Sequence, residues 1–110
     1  MKTIIINNQF FGSGSDDLGK TLMASFLRKL WANKNKPDNI IFYNSGVKLL
    51  SKGSDILDAL EALSELNIEL LACGTCVNYF GLEDKLVVGR ISNMQEISTV
   101  IMNSDTVITI

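Results

Sequence analysis

Histidine is absent from this sequence, and cysteine occurs only twice, at Cys73 and Cys76. A structural zinc site takes four ligands, nearly always Cys and His, and a disulfide framework takes several cysteine pairs. Two cysteines three positions apart suffice for neither. We therefore expect no metal and no cofactor, and we expect the two side chains to act as free thiols.

Long apolar runs and an excess of basic residues are missing as well. No stretch approaches the roughly 20 apolar residues that span a bilayer, and the first residues do not form a cleavable signal pattern. The chain has 10 basic and 12 acidic residues, a net charge of −2, and no run of Lys or Arg that would bind phosphate backbones. We expect a cytoplasmic protein that binds neither a membrane nor nucleic acid.

The sequence does contain a regular alternation of short apolar runs with segments of helical periodicity. Runs rich in β-branched residues predict strands, and apolar residues at helical spacing predict helices. The predicted strands are 3–7, 39–43, 68–72, 86–88 and 105–110. The predicted helices begin at Asp16, after a Ser54 cap, near Val77 and at a capping box formed by Ser92 and Gln95.

This alternation predicts a single α/β domain over residues 1–110, in which a five-stranded parallel sheet lies between helices in three layers. In such a sheet, ligands bind outside the carboxyl ends of the strands. The loops after the first four predicted strands, 11–15, 44–46, 73–76 and 89–93, are therefore expected to share one rim. We look for functional residues among them.

Residues 14–21 match the phosphate-loop pattern G-x-x-x-x-G-K-[ST], directly after the first predicted strand. The helical stripe begins at Leu18, however, and places Lys20 inside the helix instead of in a phosphate cradle. Acidic residues at 16–17 would also face the phosphate oxygens. The interpretation we favour is that Ser15 caps a helix whose first turn is acidic, and that no nucleotide binds.

The Cys73-Gly74-Thr75-Cys76 segment is the strongest candidate site. A thiol at the end of a strand and the start of a helix meets backbone N–H groups and the positive end of the helix, which favour the nucleophilic thiolate. We therefore expect Cys73 to be the more reactive thiol, with the Gly74 and Thr75 N–H groups stabilising its anion. Cys76 lies one helical turn later, beyond most of the unpaired backbone N–H groups at the start of the helix, so these groups should stabilise its thiolate less. The alternative is that both are small buried hydrophobic residues.

A C-x-x-C segment in an α/β chain also fits a thioredoxin-like thiol-disulfide oxidoreductase. That family places a cis-proline against its disulfide. The single proline here, Pro37, precedes the second predicted strand, at the opposite end of the sheet from Cys73. The oxidoreductase interpretation therefore takes second place.

Small and polar residues follow the neighbouring strands at the same rim. Asn44, Ser45 and Gly46 are predicted to donate hydrogen bonds to an anionic sulfur species, although such a segment also suits a plain turn. Gly12 and Gly14, in the loop after the first strand, complete the predicted substrate-binding set.

Four segments of the chain together resemble the DsrE-like family of sulfur-relay proteins, and in particular the C-terminal domain of the YedF type. These segments are 12–20, 41–49, 72–82 and 89–94. The resemblance implies a three-layer fold with five parallel strands, homo-oligomers, and a cysteine that carries sulfur as a persulfide. In relay members that cysteine directly follows a strand and has a glycine eight residues later, as Cys73 and Gly81 do.

Cys76 has no counterpart in that relay pattern, and it leaves open whether sulfur is carried, a disulfide is resolved or selenium is handled. The partners implied by the resemblance are sulfur or selenium donor and acceptor proteins and further copies of the chain. YedF-type proteins usually carry a sulfur-carrier domain before this one, so a stand-alone relative or an excised fragment is indicated. A rival hypothesis is a non-catalytic, oligomeric domain whose thiols line a small-ligand pocket.

Overall fold

Five strands and four α-helices alternate along the chain in the computed structural model, which describes all residues from 1 to 110. The strands are Lys2–Ile6 (β1), Asn39–Phe42 (β2), Glu69–Cys73 (β3), Arg90–Ser92 (β4) and Thr106–Thr109 (β5). The α-helices are Asp16–Ala32 (α1), Leu57–Glu65 (α2), Gly74–Tyr79 (α3) and Met94–Asn103 (α4). A 3₁₀ helix, Asn44–Leu50, follows β2. None of the helices is both long and apolar enough to cross a membrane.

All neighbouring strands of the sheet run parallel, in the order β4-β3-β2-β1-β5. The first four strands step in one direction, and the chain then returns across the sheet to place β5 beside β1. The predicted α/β architecture with a five-stranded parallel sheet is confirmed. Because every strand points the same way, the segments after β1, β2 and β3 leave the sheet at one rim.

The two faces of the sheet are covered unequally. Alternate residues such as Ile4 and Ile40 face a large core cluster of 17 buried residues, to which α1, α2, α3 and the 3₁₀ helix contribute. On the other face, Ile5 and Cys73 belong to a cluster of five, in which α4 contributes Ile97. Period-two alternation in the buried strands therefore divides the core into two layers.

Helix α1 follows the predicted pattern closely. The Ser15 hydroxyl accepts a hydrogen bond from the backbone N–H of Leu18, and the first turn carries two aspartates that favour its positive end. Met23 and Leu27 are fully buried against the sheet, and burial of each such side chain stabilises the fold by about 1.5–3 kcal/mol.

The prediction of the fourth strand at 86–88 is wrong, and so is the rim loop at 89–93, because the strand is Arg90–Ser92. Leu86 instead forms an isolated antiparallel bridge with Ser51, and the Val87 N–H donates to the Leu50 carbonyl. The apolar run at 86–88 therefore packs beside the 3₁₀ helix. The sheet pairing begins only after the chain has turned at Gly89, where φ is +82°.

Three helix starts also differ from prediction. Helix α3 begins at Gly74, before the predicted start near Val77. Helix α4 is capped by Asn93, whose side chain accepts from the Glu96 N–H, and not by Ser92. Helix α2 begins at Leu57, while the Ser54 hydroxyl accepts from the N–H of Ile56 in the preceding turn. The 3₁₀ helix was not predicted from the sequence.

Candidate functional site

The two cysteines lie at the rim, at the junction of β3 and α3. Cys73 is the last residue of β3, and its side chain is buried, only 2% exposed, on the sheet face that α4 covers. Cys76 lies in the first turn of α3, is half-buried, and contacts both core clusters. Both thiols are free, and Cys73 is near enough to raise the pKa of the Cys76 thiol. Cys76 is therefore the outer sulfur and Cys73 the inner one.

A backbone donor points at the outer sulfur. The N–H of Asn44 donates to Cys76 Sγ at 3.0 Å. Asn44 starts the 3₁₀ helix with φ at +51°, a left-handed conformation that asparagine tolerates better than most residues. Its side-chain oxygen also accepts from the N–H of Ser45 at 2.9 Å, which helps to hold this turn.

The end of β1 and the segment that follows it hold the same turn in place. The Ser45 hydroxyl donates to the Asn8 side-chain oxygen at 3.2 Å and accepts from the Gln9 N–H at 3.1 Å. Gly46 packs directly on β1, since a Cβ there would lie 2.3 Å from the Ile6 carbonyl oxygen. Asn8 and Gln9 were not predicted, although their position just after the first strand placed them at the rim.

The hydrogen bonds expected from the Gly74 and Thr75 N–H groups to the Cys73 sulfur do not form. No hydrogen bond joins a backbone N–H to the Cys73 sulfur, and neither Gly74 nor Thr75 donates to either thiol. Gly74 has a packing role instead, because a Cβ there would lie 2.9 Å from the Ser92 carbonyl oxygen. Thr75 is exposed. The backbone N–H that donates to a cysteine sulfur is therefore that of Asn44, and the sulfur that accepts it is the outer one, Cys76 Sγ.

Burial raises the pKa of the Cys76 thiol above its ordinary value. The Asn44 N–H opposes this effect, while the hydrogen bond and the charge of Cys73 raise the pKa further. At a given pH, Cys76 is therefore ionised to a smaller extent than a free cysteine, and its thiolate fraction grows as the pH rises.

The remaining predicted glycines lie apart from the thiols. Gly12 and Gly14 have φ values of +82° and +139° in the loop between β1 and α1, and nothing lies within 4 Å of where their Cβ atoms would be. No hydrogen bond connects that loop's residues 12–14 to either sulfur. Of the predicted residues after β2, Asn44 contacts the thiol pair directly. Ser45 and Gly46 hold the turn that positions Asn44.

The residues that match the phosphate-loop pattern have structural roles in helix α1. Gly19 lies inside α1 and is buried, because the β1–α1 loop crosses it so closely that a Cβ would lie 2.8 Å from Phe10 Cβ. The Phe11 N–H also donates to the Gly19 carbonyl at 3.0 Å. Lys20 is in the helix, as predicted, and forms an ion pair with Asp55 at 2.7 Å.

Charged side chains on the α4 side of the sheet are paired with one another. Both guanidinium NH₂ groups of Arg90 donate to the Glu96 carboxylate, at 2.9 and 2.7 Å. These bonds, followed by one from the Ser92 hydroxyl, lower the pKa of Glu96 to about 2. Ser92 is the register partner of Cys73 in the sheet. The charge of Arg90 is therefore paired with the carboxylates of Glu96 and, at 3.6 Å, Glu69.

No group of three or more His, Cys, Asp and Glu side chains converges in a way that would hold a metal ion. Cys73 and Cys76 lie together at the rim, and no third metal-binding side chain joins them. The chemistry that this arrangement supports is that of an accessible thiol with a buried thiol behind it.

Comparison with known families identifies the chain. The sequence model of the DsrE/DsrF-like family matches residues 1–110. The chain belongs to the DsrE/DsrF-like family. This confirms the family suspected from the four sequence segments.

Solved structures share the fold of this DsrE/DsrF-like protein over nearly its whole length. The ychN protein from E. coli has a TM-score of 0.70 at 20% identity, covering 99% of this chain and 97% of that one. MTH1491 from Methanobacterium thermoautotrophicum, a protein of unknown function, has a TM-score of 0.71 at 19% identity, with coverages of 99% and 97%. BT1422 from Bacteroides thetaiotaomicron, also of unknown function, has 0.66 at 17%, with 99% and 94%.

Identities this low establish a common fold for these DsrE/DsrF-like proteins and nothing finer. No curated protein matches the chain by sequence. The family provides a fold of the sulfur-relay type. Any chemistry at the candidate site depends on the thiols of Cys73 and Cys76.

Proposed function

We propose that this protein is a carrier of sulfane sulfur, which it holds as a persulfide on the Cys73–Cys76 pair. The observation that carries the proposal is the Asn44 N–H directed at Cys76 Sγ at 3.0 Å. A fixed N–H donor stabilises negative charge on sulfur without reorganisation, as oxyanion donors do for oxygen. The family's association with sulfur relay supports the same chemistry.

Accessibility makes Cys76 the first acceptor in this proposal. A sulfur donor must approach from the rim, where Cys76 is half-buried, whereas Cys73 is only 2% exposed. This departs from the sequence-based expectation that Cys73 is the acceptor. The N–H that would stabilise a bound persulfide anion also lies at Cys76.

The transfer balances as a thiol–persulfide exchange. The Cys76 thiolate attacks the outer sulfur of a donor persulfide R–S–SH, a new S–S bond forms, and the donor's S–S bond breaks. The donor leaves as R–S⁻ and takes up the proton that Cys76 released, so the products are Cys76–S–SH and R–SH. An acceptor thiol then reverses the step and regenerates the Cys76 thiol.

Cys73 has a distinct role as the inner thiol. It lies three residues before Cys76, at the strand end that leads into α3, and is near enough to raise the pKa of the Cys76 thiol. Attack of Cys73 on the Cys76 sulfur of the persulfide would form a Cys73–Cys76 disulfide and release H₂S. That route discharges the sulfur when no acceptor is present, and a reductant is then needed to restore the dithiol.

The experiment is incubation with cysteine and a cysteine desulfurase, followed by intact-mass measurement. We expect the wild type to gain the mass of one sulfur atom and to lose it when dithiothreitol is added. The double variant Cys73→Ala/Cys76→Ser is the matched control and should gain nothing. A wild-type protein that gains no sulfur, with its thiols demonstrably reduced, would contradict the proposal.

A second candidate is a thiol-disulfide oxidoreductase, favoured by the proximity of the two thiols. It requires both cysteines for any turnover, whereas persulfide formation requires only one. Reduction of insulin disulfides by the wild type, lost equally in both single variants, would support this candidate over sulfur carriage. Selenium transfer would follow the same exchange from a donor R–S–SeH, and supplying the desulfurase with selenocysteine in place of cysteine tests it.

A further inference from the structure

A cleft of about 480 Å³ lies outside the thiol site, since neither cysteine lines it. It is bounded by the loop after β1, the 3₁₀ helix and the segment leading into α2. Its volume lies in the range of small-molecule sites. Phe80, four residues after Cys76, forms part of its wall.

One side of the cleft is apolar. Met23 and Ile56 line it and are 1% and 4% exposed, so they belong to the rigid core. Leu82 and the ring of Phe80 extend this wall toward the rim. A ligand with an aromatic or aliphatic body would be desolvated here, which favours binding.

Three lysines line the same cleft, although the chain as a whole is acidic. Lys20 is neutralised by Asp55 at 2.7 Å. Lys48 and Lys52 have no carboxylate within ion-pair distance. The Lys48 ammonium lies 4.5 Å from the centre of the Phe80 ring, which holds the charge against the apolar wall.

We propose that this cleft binds a small amphipathic anion, with its apolar body on the half-buried Leu49, Phe80 and Leu82 and its carboxylate or sulfonate between Lys48 and Lys52. The site does not depend on sulfur transfer, since neither thiol lines it. Two ammonium groups beside an apolar wall distinguish such an anion both from neutral molecules of the same shape and from inorganic anions.

The test is an amide chemical-shift titration with 2-naphthoate, compared with neutral 2-naphthalenemethanol and with inorganic phosphate. We expect saturable shifts centred on residues 48–56, with naphthoate binding about tenfold more tightly than the neutral analogue. Lys48→Met with Lys52→Met should weaken naphthoate binding by about tenfold, because two unpaired positive charges are lost while apolar side chains of similar length remain. Lys34→Met, outside the cleft, is the matched control and should have no effect.

Asp55→Asn gives the opposite expectation. It frees Lys20 and removes the one carboxylate that lines the cleft, so naphthoate should bind several-fold more tightly. Asp55 is exposed, and the variant should fold even if the double lysine variant does not. Equal affinity for naphthoate and its neutral analogue, shifts confined to α4, no saturation by about 10 mM, or no gain in Asp55→Asn would each overturn the proposal.

Discussion

At the scale of single residues, the two cysteines differ in burial, in donors and in neighbours. The inner Cys73 packs among apolar side chains under α4, while the outer Cys76 accepts the Asn44 N–H. The sequence was sufficient to select this segment as the candidate site, because a C-x-x-C after a buried run is a distinctive pattern. The order of the two thiols was not, because the donor belongs to a residue 32 positions away.

We expect iodoacetamide to alkylate Cys76 faster than Cys73 in the folded protein. The rate at Cys76 should rise with pH through an apparent pKa above the roughly 8.5 of a free thiol, because burial and Cys73 both favour the protonated form. In Cys73→Ala, which removes one of these causes, the apparent pKa of Cys76 should fall. Peptide mass spectrometry after timed quenching measures the rates, and faster labelling of Cys73 would refute this order.

At the scale of secondary-structure elements, tight contacts between backbone segments set the geometry of the site. Helix α3 begins directly against β4, since a Cβ on Gly74 would lie 2.9 Å from the Ser92 carbonyl oxygen and 3.2 Å from Ile91 Cγ2. The sequence predicted the strands that have strong β-branched runs. It misplaced the fourth because the run 86–88 is wholly apolar, whereas Arg90–Ser92 contains one apolar residue, and only tertiary pairing with β3 decides between them.

Gly74→Ala should destabilise the fold by roughly 1–3 kcal/mol, because the new methyl group has to displace backbone on β4. The neighbouring Thr75→Ala is the matched control. Thr75 is exposed and forms no hydrogen bond through its side chain, so its change should stay within about 0.5 kcal/mol. Urea unfolding followed by circular dichroism measures both, and equal stabilities of the two variants would disprove the packing role.

Helix α1 supports a negative expectation for nucleotides. Gly19 and Lys20 lie within the helix, and Lys20 is paired with Asp55. We therefore expect no saturable, Mg²⁺-dependent binding of ATP or GTP in calorimetry. Binding that depends on Mg²⁺ and disappears in Lys20→Ala would show that the phosphate-loop pattern is functional after all.

At the scale of the whole molecule, the sheet is covered by a large helical layer on one face and by α4 alone on the other. Met94 and Met102 are 57% and 81% exposed on α4, and Val107 of the edge strand β5 is 40% exposed. Met94 and Met102 are eight residues apart, so they lie on the same side of the helix. This uncovered apolar surface is of the kind that assembles with further copies.

We predict a homo-oligomer in solution, as the family resemblance implies. Light scattering after size exclusion should give a mass above that of one chain at micromolar concentration, and Met94→Glu with Met102→Glu should reduce it. Trp31→Glu, which changes an exposed residue of α1 on the opposite face, is the control. A wild-type protein that elutes only as a monomer would contradict this prediction.

The central claim is that sulfane sulfur enters at Cys76, and the direct measurement is persulfide formation in the two single cysteine variants. After incubation with cysteine and a desulfurase, Cys73→Ala should gain one sulfur atom by intact mass and keep it longer than the wild type. The inner thiol that would discharge it as H₂S is missing in that variant. Cys76→Ser should gain none, because the remaining sulfur is buried. Persulfide formation in Cys76→Ser at the wild-type rate, with none in Cys73→Ala, would contradict the claim and assign the acceptor role to Cys73.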